Sequence, residues 1–473
     1  MQFKKKSLQS AKFLIDLMLS WNFLVSIIES LTKSHLELKS IYIRTLCGYA
    51  YRLLHRGKFN RSIYIADRVL LITEDSLILD FLSPIYRLNG DLKKSVEVST
   101  KAEQLRREIA KSHQLDKLNI RVFSRSFTSV GHTALIDIFL KAQVLGIIKR
   151  KNNIILGELS SFANPCLMKY WENHCRLIDN QKIVNYLTKI TYPIEENLAS
   201  FECSDGKILN LEEFAMKTQL QWESENRNHL INLTDEHKKR GYELLHKIGV
   251  PKGGWFCGLH VREGNDDLSA IRNAKISSYM LAIEEISKMG GWVIRLGDKS
   301  MQHHYAPGLN YIDYVFSEHQ SDWMDVFIWS EGRFFIGTGS GPSAIPICFG
   351  KPVAFSNWGP LGKRQWGKID LFLPKIYVYK STQIPLTMEE RLYSHFAYHE
   401  SYKALESMGV EVLDNSPEEI KDLISEMYTK INSNQNLTPR QILQKKRFAN
   451  LSIAHNVYPS DLANAFIDRY PNF

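Results

Sequence analysis

Apolar positions along the chain change their period three times. Leu14, Leu17, Trp21, Leu24, Ile28 and Leu31 recur at steps of three and four, the spacing of one helix face. Lys4, Lys5 and Lys6 precede that stripe. From there to about residue 115 the pattern stays helical. Two stretches repeat: Tyr51-Arg52-Leu53 and Tyr86-Arg87-Leu88 each lead to a glycine turn and a second helix. The turn glycines, Gly57 and Gly90, stand 33 residues apart, a period similar to a tetratricopeptide (TPR-like) helix pair. Two copies are fewer than a solenoid needs, so residues 1–115 read as a helical repeat-like cap.

Near residue 118 the period shifts to strand, turn, helix, strand. LNIRVFSRSF and NNIILGE read as strands, with the helix SVGHTALIDIFLKAQVLG between them. That order predicts a parallel α/β sheet. Residues 165–250 read as polar helix, and Thr234 is a candidate N-cap. A second α/β series begins at WFCGLHV and continues through WVIRLGD, YIDYVF, RFFIGTG and PVAFSN. The helices between them include KISSYMLAIEEISKMG, DWMDVFIWSEG and SGPSAIPICFG. The expected fold class is therefore α/β. Two Rossmann-like domains, 116–250 and 251–473, follow the helical region in a GT-B-type layout, with ligands beyond the carboxyl ends of the strands.

Composition narrows the function classes. With 44% hydrophobic and 23% charged residues, the chain is ordinary globular protein and can bury a large core. A net charge of +9 favours an anionic partner, and no basic low-complexity tail points to nucleic acid. Six cysteines without a C-x-x-C pair read as reduced core thiols, and the expected location is cytoplasmic. The N-terminal stripe is interrupted by Asp16, Asn22 and Glu29, so it reads neither as a signal peptide nor as a membrane span. It is either a packed helix or a basic amphipathic helix on the inner face of an anionic membrane.

The candidate chemistry sits at strand ends. His260 and Arg262 are two residues apart and would share a face toward the interdomain cleft. Arg262 could hold a diphosphate, and His260 could donate a hydrogen bond or a proton. Thr338, Gly339, Ser340, Gly341 and Ser343 form a strand-to-helix turn suited to a phosphate. The turn is neither a Walker loop nor a dinucleotide fingerprint. Arg295, inside an apolar strand, needs either a ligand or a buried carboxylate, and Gly297 and Asp298 follow it. Gly131 and His132 mark the first unit's turn, where His132 could contact acceptor or act as base. Glu263, Asp266 and Asp267 are further candidate bases. No metal-binding motif is evident, and no cofactor is expected.

These residues lie in a pattern that resembles the bacterial glycosyltransferases of capsule and O-antigen loci. The pattern runs His260-Val261-Arg262-Glu263, then Arg272-Asn273-Ala274 with Ile276 and Tyr279, then Val293-Ile294-Arg295 with Gly297. It continues through Ile312-Asp313-Tyr314, Ile336 to Gly341, Pro352-Val353 with Asn357, and Leu373-Pro374-Lys375. The H-x-R is more distantly similar to that of fucosyltransferases. The resemblance implies a metal-independent GT-B enzyme; the donor, which does not carry over from it, is expected to be a UDP- or GDP-linked sugar. Its implied donor-binding residues are His260, Arg262, Arg272, Asn273, Arg295, Gly297, Asp298 and the 338–343 turn. From their positions, the candidate catalytic residues are His132, Glu263 and His260. The acceptor would be a surface polysaccharide or a lipid-linked glycan. The loop from Glu263 to Arg272 is shorter than the family's, which leaves an acceptor role there open. The competing expectations are a nucleotide-sugar epimerase or hydrolase of the same fold, and a non-catalytic helical-repeat scaffold.

Overall fold

A computed structural model describes residues 36–191, 193–194, 200–264, 269–362, 367, 369–392, 394–433, 436–454 and 460–470. The N-terminal stripe, Asp266 and Asp267 lie outside them. Among the described residues no helix is long and apolar enough to cross a membrane.

Two helix pairs come first: α1 (Leu36–Leu54) with α2 (Phe59–Ile72), and α3 (Ser76–Leu88) with α4 (Leu92–Ser112). Gly57 and Gly90 make the turns, at φ 70° and 86°, where a side chain would be strained. Asp75 caps α3 and Asp91 caps α4, each accepting a backbone N–H. Leu54, Ala66, Val69, Leu79, Leu82 and Ile85 close a separate apolar core between the four helices.

The first α/β unit holds one strand more than the two read from the sequence. Its sheet has three parallel strands, β1 (Ile120–Phe123), β2 (Asn152–Leu156) and β3 (Cys175–Ile178), in that order. Helix α5 (Val130–Val144) crosses between β1 and β2 and is buried along most of its length. A short hairpin, β4 (Ser200–Glu202) and β5 (Ile208–Asn210), precedes α6 (Leu211–Ser224). Thr234 caps α7 (Asp235–Lys247), accepting from the His237 N–H.

The second unit carries a seven-stranded sheet whose pairs are all parallel. Its strands are β6 (Phe256–His260), β7 (Trp292–Arg295), β8 (Tyr311–Ile312), β9 (Phe335–Gly337), β10 (Val353–Trp358), β11 (Leu371–Pro374) and β14 (Asp461–Leu462). The order across the sheet is β14-β11-β10-β9-β6-β7-β8. The chain thus winds outward one way from β6 through β7 and β8. It then returns to the other side of β6 with β9. Helices α8 (Met280–Lys288), α9 (Asp322–Glu331) and α10 (Pro417–Asn432) cover the faces. Strands β12 (Ile376–Tyr379) and β13 (Val410–Leu413) pair antiparallel beside it. One continuous core runs from Phe123 and Phe139 of the first unit to Phe335, Phe355 and Leu423 of the second.

Candidate functional site

The winding reverses between β6 and β9. In open parallel sheets ligands bind beyond the carboxyl ends of the strands at such a switch point. The residues at the two ends are His260, Val261 and Arg262 on one side and Thr338 to Ser343 on the other. His260 pairs in register with Gly337.

The two ends are tied together. The Thr338 N–H donates to the His260 carbonyl at 3.2 Å, and the Arg262 N–H donates to Thr338 Oγ1 at 3.1 Å. His260 Nδ1 lies 2.8 Å from Ser340 Oγ, which lies 3.0 Å from Ser343 Oγ. Burial pushes the His260 imidazole down to about 4, with Arg295 and Arg262 adding to the effect and Asp298 opposing it. His260 is therefore neutral near pH 7. It orders the turn through Ser340 and does not carry a positive charge.

The segment after the turn is not the helix that the sequence predicts. Pro342–Ala344 is a single 3₁₀ turn, and Ile345–Cys348 is four residues long. Pro342 and Pro346 lack the N–H that a longer helix would need. Helix α5 meets the turn instead. A Cβ on Gly131 would fall 2.7 Å from Gly341 Cα, so both positions need glycine for the backbones to touch. Ser129, the N-cap of α5, makes no side-chain cap bond. Among the described residues, the N–H groups of Val130, Gly131, Gly339, Ser340 and Gly341 make no hydrogen bond. The contact of Gly131 with Gly341 thus sets the unbonded amides of the two elements side by side at the switch point. His132, partly buried, sits in the first turn of α5.

The predicted cationic side chains are placed differently. Arg295 is fully buried, with Nη2 3.2 Å from Glu263 Oε2 and Nη1 3.2 Å from Asp313 Oδ1. Nη1 also donates to the Gln302 carbonyl at 2.7 Å. Of the two readings the sequence allows for Arg295, the structure has the buried carboxylate. Glu263, a candidate base from the sequence, is held in the same contact, and its Oε2 also accepts the Gln302 N–H at 3.0 Å. Arg262 is turned into its own loop. It donates to the Ser269 carbonyl at 3.1 Å, to Ser269 Oγ at 2.8 Å and to Asn273 Oδ1. Asn273 Nδ2 donates back to Gly264 at 2.6 Å. Asn273 and Arg262 thus hold the loop and do not reach outward together. Asp298 is exposed past β7, its carboxylate accepting from the Ser300 N–H at 2.8 Å, and the Gly297 carbonyl accepts from Gln320 at 3.0 Å. Arg272 alone among these arginines lies along the turn, with Nη1 3.4 Å from the Gly339 carbonyl and Nε 3.6 Å from Glu400.

Two supports carried no role in the sequence reading. Lys375 is fully buried and donates to the Asn273 carbonyl at 2.8 Å, to Tyr402 Oη at 3.2 Å and to Asp414. Asn357 and Asn415 exchange backbone-to-amide bonds of 2.6 and 2.8 Å, locking the end of β10 to the loop before α10. A lysine and an asparagine inside apolar runs were the available signals, since buried polar groups need partners. Among the described residues no group of three or more His, Cys, Asp or Glu could hold a metal ion.

No protein-family model matches the chain, and no curated protein matches it. Among solved structures, a glycosyl transferase family 9 protein from Veillonella parvula DSM 2008 is similar over 67% of this chain and 98% of its own. The identity is 10% and the TM-score 0.39. The iron-containing dodecameric heptosyltransferase TibC with ADP-D-beta-D-heptose is similar over 66% of this chain and 77% of its own, at 9% identity and a TM-score of 0.34. TibC from enterotoxigenic E. coli H10407 is similar over 66% and 76%, at 9% and 0.36.

Proposed function

We propose that the chain is a glycosyltransferase of GT-B type. It moves a sugar from a UDP- or GDP-linked donor to a surface-polysaccharide or lipid-linked glycan acceptor. The observation that carries this reading is the convergence at the switch point. Amides of the 339–341 turn and of the α5 amino end meet there with Arg272 beside them. Amides and a helix amino end stabilise phosphate charge, and they do so most where that charge develops as a nucleoside diphosphate leaves. In this reading the amides and Arg272 hold the leaving diphosphate, and no metal is called on. His132, in the first turn of α5, takes the proton from the acceptor hydroxyl. His260, Arg262 and Arg295 act by shaping the site.

The test is thermal. UDP or GDP at a hundred times its dissociation constant should stabilise the protein by about 2.7 kcal/mol, read as a higher Tm. A panel of nucleotide sugars with and without glycan acceptor then reads the reaction. Turnover that needs no acceptor would replace the transferase with an epimerase or hydrolase. No Tm shift with any nucleoside diphosphate at millimolar concentration would remove the donor site altogether.

A further inference from the structure

A groove lies at the amino end of β6, on the opposite side of the large sheet from the switch point. The loop that enters the amino end of β6 and the outer face of α7 enclose an open groove of about 450 Å³. Lys239, Tyr242, Glu243 and His246 line it from α7, at the three- and four-residue spacing of one helix face. Lys252 and Gly253 line it from the loop. The five-residue strand β6 separates this groove from the switch point, roughly 17 Å at 3.3 Å per residue.

Three features define what fits. First, the groove is basic, with two lysines and a histidine against Glu243. Lys239 and Lys252 are exposed, and among the described residues neither makes an ion pair or a side-chain hydrogen bond. Second, Tyr242 is 47% exposed yet held in place. Its ring stands edge-on to Phe327 at 5.1 Å, and its hydroxyl donates to Glu331 at 3.1 Å. A fixed aromatic face is a platform for a ring, since the side chain gives up little freedom on binding. Third, the loop side is low. A Cβ on Gly253 would meet nothing within 4 Å, so the groove is open and admits a chain as well as a single ring.

We propose that this groove binds an acidic saccharide chain, one carrying uronate carboxylates or phosphates. A sugar ring lies on Tyr242, and the acidic groups lie against Lys239 and Lys252. The assignment does not rest on the transferase reading, because it is a binding site remote from the switch point.

Isothermal titration of the full-length protein with a galacturonate hexamer tests it, with maltohexaose as the neutral control. The uronate hexamer should bind and maltohexaose should bind far more weakly. Lys239→Glu with Lys252→Glu should weaken the hexamer by roughly tenfold or more, the loss of two charge-assisted contacts, with Tm unchanged. The nucleotide-induced Tm shift should survive in that double variant, which separates this site from the donor site. Equal binding of the two hexamers, undiminished binding by the double variant, or no binding at millimolar concentration would overturn the proposal. Competition by a nucleoside diphosphate in the double-lysine groove would put a nucleotide there instead, and would overturn it too.

Discussion

His260 shows how a residue can be found in the sequence for one chemistry and used for another. Its place at a strand end was legible from the apolar run before it. Its burial was not, because burial depends on Ser340, 80 residues away, and on β9 beside it. Burial holds its pKa at about 4, against about 6.5 in an unfolded chain. Between those values the unfolded chain binds the proton and the native chain does not. Stability from this group is therefore complete above about pH 6.5 and is lost as pH falls toward 4. A chain with His260→Gln has no such proton to bind. Its Tm should fall less than that of the parent between about pH 7.5 and pH 5. Parallel losses in both would assign that window to other groups. Arg295 teaches the same lesson, although it keeps its charge. An arginine on an apolar strand announces a partner, but Glu263 and Asp313 come from two other segments that only the sheet brings together.

Elements with strong period were legible, and those broken by local chemistry were not. The capped helix α7 and the strands β6, β7, β9 and β10 all form where the pattern puts them. Strand β3 escaped because CRLI is four residues long within a stretch read as polar helix, although Asp179-Asn180 mark its end. SGPSAIPICFG has helical apolar spacing, yet its two prolines cut it to a single turn and four residues. The unbonded amides at the switch point consequently come in part from α5, 15 residues long and therefore able to sustain an end dipole. Gly131 was visible as a turn residue. Its contact with Gly341 was not, because that contact joins the two units. Gly131→Ala forces a methyl group to within 2.7 Å of backbone that cannot rotate away. Separating the two elements should cost about 1–3 kcal/mol in denaturant unfolding, typical of overpacking. In the same variant the Tm shift with UDP or GDP should be lost. Retention of the full shift would show that the donor does not use the junction of α5 with the turn.

At the scale of the molecule, the four amino-terminal helices are tied to both α/β units. Ser401 donates to the His55 carbonyl at 2.7 Å, and Tyr398 packs on the helical core. On the other side Arg87 pairs with Glu212 at 3.0 Å, and Ser200 donates to the Ser99 carbonyl at 2.9 Å. Arg106 sits where these forces meet. It pairs with Asp80 of α3 and with Glu103 at 2.9 Å, and it donates to the Ser200 carbonyl at 2.8 Å. All three charged side chains are nearly buried. Arg106→Leu removes a cation shared by Asp80 and Glu103, the second of which keeps Arg107 at 3.5 Å, and should cost about 3 kcal/mol, the lower end for breaking a buried pair. How that loss is distributed tests whether the helices are a layer of one body or a separate cap. The core between the four helices is their own, which favours independent melting. The bonds at His55, Glu212, Ser99 and Ser200 reach segments 100 to 350 residues away, which favours a shared transition. We expect the shared transition, because the helices bury Tyr398 and His399 of the carboxyl-terminal part against themselves and expose them if they leave. Far-ultraviolet and near-ultraviolet circular dichroism of Arg106→Leu should therefore trace one melting curve at a lower Tm. Two separated steps, the first confined to the helical signal, would make residues 36–112 a domain that folds by itself.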